Sequence, residues 1–270
     1  MSKGSLVIVG TGHSIGQITI EARSAIETAE KVFYVVDNPI SEQWIKDLNS
    51  KSENLKSCYE NGVPRIKSYL KMVEIILNSV REGLKVCGAF YGHPGVFVHP
   101  SHEAISQAQR EGFNAEMLPG ISAEDCLFAD LGIDPSRSGC QTFEANDFLI
   151  YKRQFDTTSS LIIWQIGVIG DNTYKERGYS NAGLKILSDV LIDHYGPNFS
   201  VVIYEAPKFN ICSPRMDRLK LIDLPNANVT AVSTLYIPPK SKREIDLEML
   251  KKIGRKLEDI PIITSGYLKM

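Results

Sequence analysis

In the first half of the chain, apolar residues gather in short unbroken runs, with stretches of helical spacing between them. "SLVIVG" (Ser5–Gly10) and "KVFYVVD" (Lys31–Asp37) read as strands buried on both faces, and "LKVCGAF" as a third. "ITIEARSAIETAE" and "SHEAISQAQREG" carry helical spacing, and Gly112 closes the second of them. A longer helix is expected from Pro64 to Arg81, since proline suits a first turn. Its apolar stripe reads Ile66, Leu70, Val73, Leu77 and Val80. "NAEMLPG" is a short strand running into "PGISAED", where Ser122 is placed to cap a helix. Strand and helix alternating in this way imply a parallel sheet.

Beyond Gly120 the pattern changes. "SLIIWQIG" (Ser160–Gly167), "FSVVIYEAP" (Phe199–Pro207), "RLKLIDLP" and "VTAVSTLYIPP" (Val229–Pro239) are strands, and one clear helix, "NAGLKILSDVLIDHYG", lies among them. That is a mixed sheet and a second domain. The expected division is 1–119, 120–240 and a charged, helical tail over 241–270.

At 270 residues the chain is long enough for one large core or two medium ones. Charged residues make up 23% and the net charge is −2, so no basic surplus points to nucleic acid. No apolar run reaches the roughly 20 residues that cross a bilayer. Strand pattern begins at once, with no signal peptide ahead of it. Five scattered cysteines lack any C-x-x-C spacing, and they are read as reduced thiols in a cytoplasmic protein.

Three motifs carry chemistry. "GTGHSIG" (Gly10–Gly16) follows the first strand but has isoleucine where a dinucleotide fingerprint has its third glycine. It is either a tight turn or a turn whose backbone must approach a ligand. His93, His99 and His102 have no established zinc spacing, and no metal is expected. His102 is read as beginning a helix with Ser101 as its cap. On the long helix, Arg65 and Tyr69 stand one turn apart and head a row continued by Met72 and Ile76, with Tyr59 just upstream. They are either an arginine stacked on a half-exposed tyrosine or phenols and a guanidinium facing a cleft. The aromatic segment "FYGHPGVFVHP" (Phe90–Pro100) has two prolines and two glycines, which make it a stiff loop.

"LVIVGTGHSIGQITIEARSAIETAEKVFYVVD" resembles the opening of the tetrapyrrole methylase superfamily, the class III methyltransferases that use S-adenosylmethionine (SAM). "YGHPGVF" stands at that superfamily's G-D-P loop and "LPGISAEDCLFADLGIDP" at its P-G-[IV]-S-[SA] segment. The likeness runs on through "VVIYEAP" to "AVSTLYIPP". Within the superfamily, "FYGHPGVFVHPSH", "LPGISAEDCLFADLGIDP" and "VSTLYIPPK" are similar to the borosin α-N-methyltransferases, which methylate backbone amides of a peptide. His93 in place of the aspartate points away from a tetrapyrrole substrate.

The resemblance implies an α/β fold of two αβα domains with the SAM cleft between them and a C-terminal helical clasp. It implies SAM contacts from Tyr91, His93, Val96, Phe97, Ser122 and Ala123, and from Gln165, Tyr204, Ala206, Ser233 and Thr234 in the second domain. S-adenosylhomocysteine is the product. It also implies catalytic roles for Tyr59, Arg65, Tyr69 and Tyr91. A phenolate is a stronger base than carboxylate or imidazole, and Arg65 is expected to lower a neighbouring phenol's pKa and to steady the amide oxygen. Which tyrosine is the base stays open. The charged tail after "YIPPK" does not look like a substrate peptide, so a separate precursor is expected. So is an interlocked homodimer, clasped through Ile40–Val63 and Arg243–Met270 and possible as a 2:2 complex with precursor. The alternative is a small-molecule methyltransferase of corrin-type acids. Such a substrate asks for several cations, whereas Arg65 is the main charge expected in this cleft.

Overall fold

In the computed structural model, residues 3–209, 211–241 and 243–260 are described. The first half builds β1 (Ser5–Gly10), α1 (Ile20–Thr28), β2 (Lys31–Val35), α2 (Pro39–Leu48), β3 (Ser52–Asn54), α3 (Arg65–Arg81), β4 (Lys85–Phe90), α4 (His99–Arg110) and β5 (Asn114–Met117). The five strands form one sheet in the order β3-β2-β4-β1-β5, and every pairing is parallel. Alternate side chains explain the unbroken apolar runs. Leu6, Ile8, Phe33 and Val35 pack with α3 and α4, while Val9, Val32, Tyr34 and Val36 pack with α1 and α2 on the other face.

The second half contributes α5 (Ala123–Leu131), α6 (Pro135–Ser138), β6 (Cys140–Glu144), α7 (Ala145–Ile150), β7 (Ser160–Trp164), α8 (Ala182–Tyr195), β8 (Ser200–Glu205), β9 (Arg215–Lys220), β10 (Thr234–Ile237) and α9 (Leu247–Lys252). Its sheet runs β6-β7-β10-β8-β9, parallel at β6–β7 and antiparallel elsewhere. α8 covers one face, through Leu184, Leu187 and Leu191. α5 covers the other, through Leu127 and Leu131 against Ile162, Val202 and Tyr236. Ser122 caps α5 with a reciprocal pair of bonds to Asp125. The architecture is thus α/β with one parallel and one mixed sheet. Among the described residues, no helix is long and apolar enough to cross a membrane.

Several expectations need correction. "RLKLIDLP" is not one strand. β9 ends at Lys220, and Leu221–Asn226 turn into a 3-10 helix that buries Leu221 and Leu224. In "VTAVSTLYIPP" only Thr234–Ile237 pair, because Thr230–Ser233 form a turn. The strand β6 and the helix α7 had no clear pattern to announce them. α4 begins at His99 with Pro100 in its first turn, so Ser101 lies inside the helix, fully buried, and does not cap it. On α3 the burial is rotated from the expected stripe. Met72, Val73, Ile76, Leu77 and Val80 are buried, but Ile66 and Leu70 are 45% and 51% exposed. The first turns of the helix stand clear of the sheet, and the row headed by Arg65 and Tyr69 is the one that turns inward. The charged tail is one helix of six residues, α9, and a 3-10 turn over Leu257–Asp259; its remainder, 261–270, lies outside the described residues.

Candidate functional site

Parallel strands leave their loops at the carboxyl edge of the sheet, where α/β proteins bind ligands. Here the loops after β2, β4 and β1, three neighbouring strands, meet at that edge. Their meeting is a backbone-to-backbone contact. A Cβ on Gly10 would lie 2.4 Å from the Gly92 carbonyl oxygen and 2.7 Å from Pro94 Cδ, and one on Gly120 would lie 2.8 Å from the same oxygen. Gly12 and Gly92, both at positive φ, exchange hydrogen bonds of 3.2 and 2.9 Å. The glycines of "GTG" therefore seat the "FYGHPGVFVHP" loop against β1. Imidazoles hold the middle of that loop: His93 Nδ1 accepts from Gly95 N at 2.9 Å, and His102 Nε2 lies 2.9 Å from Gly95 O.

Above this edge lies a cavity of about 430 Å³, with a smaller one of about 110 Å³ beside it. Both are lined by Tyr91, Phe97, Ala123 and Gln165, so they are two parts of one cleft. The larger also takes Tyr59, Arg65, Tyr69, Tyr204, Ala206 and Thr234; the smaller takes His93, Val96 and Ser122. Phe97 and Gln165 both sit in left-handed backbone, at φ of 55° and 59°, a costly conformation for residues with side chains. Phe97 reaches across to Trp164 at the end of β7, with ring centroids 5.7 Å apart. Ser233 departs from the expectation. It is wholly buried, lines neither cavity, and bonds through its hydroxyl to Glu205. Tyr204 lines the cavity, but its phenol is spent on Asp130 at 2.7 Å, which ties α5 to β8.

Tyr59, Arg65 and Tyr69 are brought together by the end of the Leu55–Cys58 turn and the first turns of α3. The rings of Tyr59 and Tyr69 meet edge-on with centroids 6.2 Å apart. Tyr91 reaches the same cavity from the end of β4. All three phenols are pushed upward, chiefly by burial, and Tyr91 to about 12. The positive charge of Arg65 lowers each of them, as expected, but burial outweighs it and the net shift is upward. The three phenols are accordingly protonated at neutral pH.

Sequence reasoning missed several lining residues. His13, inside the glycine turn, packs edge-on to Tyr91 with centroids 6.0 Å apart. Its Nε2 is buried without a partner, and burial pushes its pKa down. Tyr174 stacks on Tyr59 at 4.8 Å, and Tyr179 stands near it on the cavity wall. Both lie in a polar loop with no periodicity to mark it. Arg65 is not the main charge either: Lys56, Lys175 and Lys208 also line the cavity, against Asp37 and Glu205.

The profile of the tetrapyrrole (corrin/porphyrin) methylases matches residues 5–206, which span both sheets and the cleft. The chain belongs to the tetrapyrrole methylase family. Among solved structures, a uroporphyrin-III-C-methyltransferase from Thermus thermophilus superposes with a TM-score of 0.61 over 96% of this chain and 100% of its own, at 16% identity. The cobalt precorrin-4 methyltransferase CbiF gives a TM-score of 0.58 over 87% of this chain and 94% of its own, at 17% identity. At such identities the family's fold is what is shared. Curated relatives are nearer in sequence. The methyltransferase/ribosomally synthesized cyclic peptide dendrothelin A precursor of Dendrothele bispora is 46% identical over 253 residues, which is 92% of this chain and 61% of that protein. The corresponding omphalotin A precursor of Omphalotus olearius is 45% identical over 255 residues, 93% of this chain and 61% of that protein. The chain thus spans about three fifths of the length of these relatives.

Proposed function

We propose that this protein is a SAM-dependent α-N-methyltransferase acting on backbone amides of a ribosomal peptide supplied as a separate polypeptide. One observation carries the reading: Tyr59, Arg65, Tyr69 and Tyr91, from three separate segments, line a single cavity together with the loop residues Phe97, Ala123 and Gln165. The relatives, each named as a methyltransferase joined to a cyclic peptide precursor, support a peptide as the substrate class. In this reading the protein works as a homodimer, and the exposed Ile66 and Leu70, one turn apart on α3, are side chains that a second copy would cover.

The cleft fits the cofactor. Its volume is in the range of small-ligand sites, and the close packing of Gly10, Gly92 and Gly120 fixes the loop that lines it. Tyr91, Phe97, Ala123, Gln165, Ala206 and Thr234 would hold SAM, with His93, Val96 and Ser122 along the smaller recess. When bound, SAM supplies an electrophilic sulfonium methyl. This chain's residues deal with the nucleophile. A peptide nitrogen shares its lone pair with the carbonyl, so it attacks only as its N–H proton leaves and charge grows on the oxygen. A phenol that loses its proton in this cleft is a strong base, because burial has raised its pKa. The Arg65 guanidinium stays charged and stabilises the developing oxygen anion. With SAM held there its methyl would go to the nitrogen, giving S-adenosylhomocysteine, while the phenolate would take the nitrogen's proton and Arg65 would hold the oxygen.

The test uses the full chain, SAM and, as a separate polypeptide, the part of the Omphalotus olearius relative outside the matched region. Mass spectrometry should find methyl groups on backbone nitrogens. Uroporphyrinogen serves as the other arm, since Lys56, Lys175 and Lys208 give the cavity cations that a polycarboxylate could meet. Methylation of that arm and not of the peptide overturns the reading.

A further inference from the structure

The segment from Asp171 to Tyr179, between β7 and α8, belongs to the second half of the chain yet is paired to the first. Gly62 N donates to Tyr174 O at 2.8 Å, Tyr174 N to Val63 O at 2.9 Å, and Arg65 N to Asn172 O at 2.9 Å, with Pro64 opposite Thr173. These bonds make a short antiparallel ladder directly ahead of α3. They also supply what the helix lacks. Pro64 has no side chain that can cap, so the first free N–H of α3 finds its acceptor in this segment.

The strap is built for that place. The Asp171 carboxylate accepts from Thr173 N at 2.9 Å and from Thr173 Oγ1 at 2.6 Å, and pairs with Lys175. The Tyr179 hydroxyl donates to Thr173 O at 3.0 Å and accepts from Lys175 N at 3.1 Å. Most of the segment is exposed, so apolar burial does not account for its order. What it presents to the cleft is specific. The Tyr174 ring stacks on Tyr59 at 25° between planes, and the Asp171 carbonyl accepts from the Arg65 guanidinium at 3.0 Å.

We propose that the Asp171–Tyr179 strap is a positioning element for the amide-activating set, with Tyr174 holding Tyr59 and the Asp171 carbonyl holding Arg65. The inference rests on the peptide methyltransferase reading above. The phenol and guanidinium come from the first sheet's half of the chain, but their aim is set by the second half. Tyr174 is a positioning residue, and its ring does the work, not its hydroxyl. Tyr59 is faced by Tyr69, Tyr91, Arg65 and Tyr174, and of these Tyr174 is the ring that covers it face-on.

Tyr174→Phe, Tyr174→Ala and Tyr174→Leu in the full chain test this. Tyr174→Phe should keep peptide turnover within about threefold, because stacking needs only the ring. Tyr174→Ala should lower kcat by about 30-fold or more with KM for SAM unchanged, as loss of alignment does. Tyr174→Leu restores apolar bulk without a ring; it should match the alanine variant and serves should alanine fail to fold. A second readout needs no peptide. The Tyr59 ring resonances, followed by NMR in ring-labelled protein and assigned with Tyr59→Phe, should move in Tyr174→Ala and Tyr174→Leu, where the stacked ring at 4.8 Å is gone, and stay in place in Tyr174→Phe. Wild-type protein that methylates no peptide, with the Tyr59 resonances moving as stated, sinks the functional reading and leaves the strap standing. Turnover and Tyr59 resonances both unchanged in Tyr174→Leu overturn the strap, as does a phenylalanine variant no better than leucine.

Discussion

The guanidinium of Arg65 is asked to do two things, and substitution separates them. It donates to the Asp171 carbonyl, and its charge lowers the three neighbouring phenols against the rise that burial causes. Removing one charge-stabilising donor from such a site lowers turnover by about 10²–10³-fold. Arg65→Ala should show a loss of that size while calorimetry finds SAM affinity near wild type, because the loop residues that would hold SAM are on other elements. Arg65→Lys should recover little, since an ammonium lacks the planar fork. The phenols make a second prediction. A tyrosine acts as base only after losing its proton, and burial raises all three, so the phenolate fraction grows about tenfold per pH unit until the phenol's own pKa is reached. The logarithm of kcat should therefore climb through about pH 10 without levelling. A plateau near neutrality would remove these phenols as the base. The spacing of Arg65 and Tyr69 was enough to put them on one row of a helix. It could not tell which of two opposing effects on the phenols is larger, because burial depends on neighbours such as Tyr174 more than a hundred positions away.

At the level of the element, strands and helices were legible where they are long and two-faced. β1, β2 and β4 read correctly because both faces of the parallel sheet are covered, which leaves no polar alternation to confuse them. α3 was legible as a helix but not in its rotation, since Ile66 and Leu70 look like core in the sequence and lie on the surface. β6 and α7 hid because their five and six residues are mostly half-buried. The glycine turn was legible as a place of close approach, but what approaches turned out to be another stretch of this chain. That makes Gly10→Ala informative. The added methyl would stand 2.4 Å from the Gly92 carbonyl oxygen, and neither neighbour is a flexible side chain that can swing away. The loop must shift, at about 1–3 kcal/mol as for other overpacked sites. Thermal unfolding should occur several degrees lower. Because the displaced segment carries Tyr91 and Phe97, SAM affinity should fall along with stability. Wild-type affinity in a destabilised protein would show that the loop's seat and its hold on the cofactor are independent.

For the whole molecule, both halves of the chain contribute to the lining of the cleft, and the strap from the second half pairs with the first. In the reading proposed above, the residues that would hold SAM all come from one chain, so the role proposed for a second copy lies with the peptide. The exposed pair Ile66 and Leu70 bears on this, because it shares the first turns of α3 with Arg65 and Tyr69. Anything covering those side chains would sit on the same turns of α3 that carry Arg65 and Tyr69. If a partner subunit covers them, a charge placed there must be stripped of water at the interface, which weakens association strongly. Leu70→Glu should then convert a dimer into a species near the 30.1 kDa of one chain, as read by light scattering. Because Leu70 is half exposed and does not line the cavity, SAM affinity and thermal stability should stay close to wild type. Peptide methylation should drop, with the loss appearing mainly in KM for the peptide if the partner's contribution is to grip it. A wild-type protein that is monomeric and fully active at low concentration would leave the two side chains to the peptide itself, and Leu70→Glu would then raise the peptide's KM with no change in mass.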